Sequence, residues 1–69
     1  MLYIIANKQK AAEVGISPLG HRVNGDHIIV NEKELNYVPG DTLEERAGRI
    51  DGRVYDAIEI KKLIIKGDW

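Results

Sequence analysis

The sequence has no cysteine in 69 residues, only two prolines, one tryptophan and one methionine. Without cysteine there are no disulfides, no thiolate metal sites and no thiol nucleophile. The absence matters because a domain this short hides only about 60% of the surface its unfolded chain exposes. Small domains commonly depend on a covalent or metal staple. Here stability has to come from well-formed local structure or from association with another chain. A reducing cytoplasm is the expected location.

Hydroxyl nucleophiles are nearly as scarce. Ser17 is the only serine and Thr42 the only threonine. Ser17 sits beside Pro18 in a loop with no nucleophile-elbow pattern, and Thr42 has the context of a helix cap. The carboxylates of "EKE" and "LEER" have the pattern of solvated helix faces and caps, with no apolar setting to raise a pKa. "GISPLG" lacks both the lysine of a phosphate loop and the spacing of a dinucleotide fingerprint. No enzyme activity and no cofactor are expected.

Charge of one sign is also missing. Ten Lys and Arg stand against eleven Asp and Glu, a net charge of −1, with both signs spread along the chain. Nucleic-acid binders usually carry a basic excess or stripe. No apolar run approaches the roughly 20 residues that cross a bilayer, so no membrane partner is expected. "MLYIIANK" lacks a basic leader and a cleavage signal and reads as the first strand.

What is present organises one domain over residues 1–69. "LYIIA" (2–6) predicts a buried strand. Asn7 then caps a two-turn helix in "KQKAAEV", which Gly15 ends, with Ile16 placed for the accompanying apolar contact. "SPLG" is a loop. Asn24-Gly25 predicts a type I′ hairpin turn, in which Val23 faces Asp26, Arg22 faces His27 and His21 faces Ile28. Alternation puts His21, Val23, Ile28 and Val30 on one face with Asp26, and Arg22, His27 and Ile29 on the other. The two histidines therefore point to opposite sides, and no metal site is expected from them.

Further along, Asn31 with Glu34 predicts one capped helical turn, and Thr42 with Glu45 a capping box that opens a helix in "LEERAGRI". Glu45 and Arg49 are spaced for an ion pair on that helix. Asp51-Gly52 makes a turn. "RVY" is either a short strand or an extended link. Asp56 with Glu59 opens the last helix, "AIEIKKLIIK", and Gly67 closes it. The fold class is α+β: a small sheet, made of the N-terminal strand plus an Asn-Gly β-hairpin, with three short helices covering one face.

The last helix carries the most informative pattern. At about 100° per residue, Ala57, Ile58, Ile60, Leu63, Ile64 and Ile65 span an apolar arc of roughly 220°, twice what a helix on one sheet requires. Lys61 lies inside the arc, where its stem can follow apolar surface. Either loops and the second helix wrap over the surplus, or it docks on a partner or a second copy of the chain. Trp69 either folds back or serves as an anchor of the kind enriched in interface hot spots. The expected function is a non-enzymatic protein-interaction or self-associating module, with Ile58, Leu63, Ile65 and Trp69 as partner-binding residues. The alternative is a nucleic-acid accessory protein using Arg46, Arg49, Arg53, Lys61 and Lys62. Those cations have no stacking aromatic interleaved with them.

Overall fold

Asn7 closes the first strand and opens the first helix. Its backbone is extended, and its Oδ1 accepts the Lys10 N–H at 2.9 Å. The computed structural model describes all 69 residues. β1 (Tyr3–Asn7) runs directly into α1 (Lys8–Glu13). After Val14 the helix ends in a Schellman arrangement: the Gly15 N–H donates to the Ala12 carbonyl and the Ile16 N–H to that of Ala11. Ile16 is buried there, as its position after Gly15 predicts.

β2 (Arg22–Asn24) and β3 (His27–Asn31) form the hairpin. Its turn differs from the sequence expectation. The two central residues are Gly25 and Asp26, flanked by Asn24 paired with His27. Gly25 alone has positive φ, at 58°, the pattern of a type II′ turn, which places glycine first. Val23 therefore faces Ile28, an apolar cross-strand pair, and Arg22 faces Ile29 instead of His27. The Asp26 carbonyl accepts the Lys8 N–H at 2.7 Å, tying this turn to the start of α1. The pairing has slipped by two residues. Because strand faces alternate with period two, Val23 and Ile28 still share one face, and Arg22, His27 and Ile29 the other.

A single 3-10 turn (Glu32–Glu34) follows, capped by Asn31 in a complete capping box. α2 (Leu43–Gly48) starts at Thr42, whose Oγ1 accepts the Glu45 N–H at 3.1 Å. The helix stops two residues short of the expected Ile50. Asp51 enters the left-handed region at φ 53°, and the Gly52 N–H turns back to the Ala47 carbonyl at 2.8 Å. Arg49 pairs with Asp41 at 2.8 Å and not with Glu45. Gly52 packs so closely on β1 that a Cβ there would lie 2.5 Å from Ile4 Cγ2. Residues Arg53–Tyr55 are a strand, β4, which resolves the open reading of "RVY". α3 (Ala57–Lys66) is a helix with the Asp56–Glu59 capping box at its start and left-handed Gly67 at its end.

The four strands form one antiparallel sheet in the order β2-β3-β1-β4. Its two central strands are apolar on both faces. Ile4, Ala6, Ile28 and Val30 point to one side and meet Ala11 of α1, Ala47 of α2, Ile16, Leu35 and Ile50 in the main core. Ile5 and Ile29 are partners in register on the opposite side. There α3 lies, with Ile60 buried outside the main core. The helices thus cover both faces, which corrects the expectation of one covered face. A second apolar face in β1 and β3 requires a second cover, and α3 is the only helix left to provide it.

Candidate functional site

α3 meets the sheet with half of its apolar arc. Ile60 is 5% exposed, and Leu63 and Ile64 are half-buried. The other half looks outward: Ala57 is exposed, Ile58 is 69% exposed and Ile65 78%. Ile58 and Ile65 are seven positions apart and so lie on almost the same line of the helix, separated by about two turns. α2 sits across the sheet from them, packed on β4 and the main core.

Between the outward flank of α3 and the β2–β3 side of the sheet runs a groove of about 1010 Å³. Ile29 and Ile60 contribute to its apolar lining, and Ile58, Ile64 and Ile65 form the helical wall. Arg22, Lys61 and Lys62 also border it, all exposed, and no carboxylate of the chain pairs with any of them. His21 and Glu34 line it as well, and they pair with each other through His21 Nε2 and Glu34 Oε1. The other Glu34 oxygen accepts the Asn31 N–H at 2.8 Å, so this carboxylate is fully engaged. The Glu34 partner raises the His21 pKa above its ordinary 6.5, against the opposing effect of burial. The uncommitted charge at the groove is positive.

The residues named from sequence divide as follows. Ile58 and Ile65 stand on the groove wall. Leu63 is half-buried and does not line the groove. Trp69 is half-buried, and its main-chain oxygen accepts from His27 Nδ1 at 2.5 Å, so the segment after α3 folds back onto the hairpin. Arg46 lies 5.4 Å from the Tyr37 ring centroid and donates to the Leu35 carbonyl. Arg49 is held by Asp41, and its pKa is raised by that contact. Arg46 sits on α2 and Arg49 caps its end, across the sheet from Lys61 and Lys62 on α3, so the five named cations do not form one patch. Arg53 is on the edge strand β4.

Sequence reasoning missed Arg22, His21, Glu34 and Ile29 as groove residues. The signal was available in "HIIV": adjacent isoleucines on a strand point to opposite faces, so Ile29 implies a second apolar surface. Ser17 Oγ accepts the Leu19 N–H and Thr42 Oγ1 caps α2, so both hydroxyls have structural partners. The two histidines take separate partners, Glu34 for His21 and Trp69 for His27. No helix is long and apolar enough to cross a membrane. No protein-family model, curated protein or solved structure matches the chain.

Proposed function

We propose that this chain is a non-enzymatic protein-interaction module, acting in the cytoplasm, that receives a partner protein in the groove beside α3. The observation that carries this reading is the exposure of Ile58 and Ile65 on one line of a helix whose opposite side is already docked. Exposed apolar side chains with charged groups beside them support a binding site. The groove adds concavity, and its unpaired cations add orientation without competing for the apolar centre. Nucleic acid is the weaker reading, since Arg46 and Arg49 are engaged within the chain and lie across the sheet from Lys61 and Lys62.

Site-specific photo-crosslinking tests the proposal. A photoreactive side chain at position 58 is expected to form covalent adducts with protein in the native host. The same group at Glu13, exposed on α1 across the sheet, is expected to form none. Equal adduct formation from both positions, or none from position 58, contradicts it.

A further inference from the structure

Resting on that reading, we infer that the occupant of the groove is an acidic amphipathic helix of a partner protein, with apolar anchors seven residues apart and carboxylates between them. The spacing comes from Ile58 and Ile65, which present two apolar contacts along a straight helical wall. A facing helix meets them with side chains at i and i+7, the recurring pattern of helix-in-groove recognition.

A strand fits less well. The sheet edge beside the groove is β2, only three residues long, with Pro18 and Gly20 in the loop before it. Short edge strands of this kind present too few free main-chain groups to template an added strand.

Charge selects the partner. Lys61 and Lys62 lie between Ile58 and Ile65 in sequence, and Arg22 stands on the sheet side. None has a carboxylate partner, and Glu34 is already committed to His21 and the Asn31 N–H. A helix with Glu or Asp between its anchors supplies the missing counter-charges, while a basic helix meets like charge. The same argument disfavours a second copy of this chain. Pairing α3 with its own equivalent along Ile58 and Ile65, parallel or antiparallel, brings Lys61 and Lys62 of one copy against those of the other. An anionic membrane also offers counter-charge, but it is flat, and these isoleucines border a concavity.

The test is selection from a displayed library of helix-forming peptides randomised along one face, using the full chain as bait. Enriched peptides are expected to carry apolar residues at i and i+7 with Glu or Asp between them, and to be depleted of Lys and Arg. The Lys61→Glu/Lys62→Glu variant is expected to reverse the charge preference, and the Ile58→Ser/Ile65→Ser variant to lose the enriched set. All four positions are exposed, and circular dichroism verifies that both variants fold. A selected acidic peptide is expected to lose about tenfold in affinity when its carboxylates become amides. Enrichment of neutral or basic peptides that still depend on Ile58 and Ile65 overturns the acidic partner while leaving the groove as a docking site. A set that the Ile58→Ser/Ile65→Ser variant retains overturns the groove reading itself. Two parallel outcomes also overturn the inference: a dimer in sedimentation that Ile65→Ser abolishes, or binding of phosphatidylserine vesicles with no acidic peptide enriched.

Discussion

His27 and Trp69, 42 residues apart in the chain, are joined by a bond from the ring Nδ1 of one to the main-chain oxygen of the other at 2.5 Å. The bond ties the segment after α3 to the hairpin on the sheet face opposite the main core. The other tie is apolar: Ile60 is buried, and Leu63 and Ile64 are half-buried beside it. α3 is therefore held by few contacts and is expected to open before the sheet does.

His27→Ala releases the first tie. Trp69 emission is expected to shift to the red and the last turn of α3 to exchange its amides faster, with β1 and β3 unchanged. The cost to global stability is about 1 kcal/mol or less, the usual net value of one such bond. An unchanged emission spectrum contradicts the contact.

Ile60→Ala weakens the second tie and is expected to cost about 2 kcal/mol, at the low end for truncating a buried isoleucine because α3 covers a face rather than filling the main core. Ile58→Ser/Ile65→Ser is expected to change stability by no more than about 0.5 kcal/mol, as for surface positions. Urea denaturation of the two variants side by side distinguishes the buried half of the helix from the exposed half. A double variant as unstable as Ile60→Ala means that the outer isoleucines are covered.

Gly52→Ala places a methyl group 2.5 Å from Ile4 Cγ2 and 3.0 Å from the Ala47 carbonyl. Ile4 is fully buried and the carbonyl belongs to the backbone of α2, so neither can withdraw freely. The expected cost is about 1–3 kcal/mol, measurable as a lowered thermal midpoint. The chain leaving α2 must cross β1 at this point, and only a residue without a side chain fits.

Much of this architecture was legible in the residues because its signals are local. Asn7, Asn31, Thr42 and Asp56 each cap the helical segment that follows, and Gly67 ends α3 in the left-handed region. What was not legible depended on distant partners. "NGD" allows a turn centred on Asn24-Gly25 or on Gly25-Asp26. The choice is made by the Val23–Ile28 pair beyond the turn and by the distant Lys8, whose N–H donates to the Asp26 carbonyl within it. The side taken by α3 was hidden for a related reason. A 220° arc shows that a helix has two apolar flanks, but not which sheet face takes one of them. The groove was only half legible: Ile58 and Ile65 follow from helical periodicity, whereas Arg22, His21 and Glu34 reach it through the hairpin register and the turn after β3.

The His21–Glu34 pair makes stability depend on pH. Glu34 raises the folded-state pKa of His21 above 6.5. The stability this contributes is complete below the unfolded value and is lost as pH rises through the folded one. Urea midpoints are therefore expected to fall as pH rises above 6.5 in the wild-type chain. Glu34→Gln keeps an oxygen for the Asn31 N–H but removes the charge, and its midpoints are expected to be flatter over that range. A midpoint that rises with pH, attributable to His21 by its loss in His21→Ala, contradicts the assigned sign.

Methyl NMR of the purified chain in the presence of a soluble paramagnetic agent tests most directly whether α3 keeps an uncovered docking surface. Strong broadening of the Ile58 and Ile65 δ1 methyl signals is expected, with those of Ile4, Ile28 and Ile60 protected. Protection of Ile58 and Ile65 equal to that of Ile60 contradicts it, because the surface offered to a partner is then already occupied.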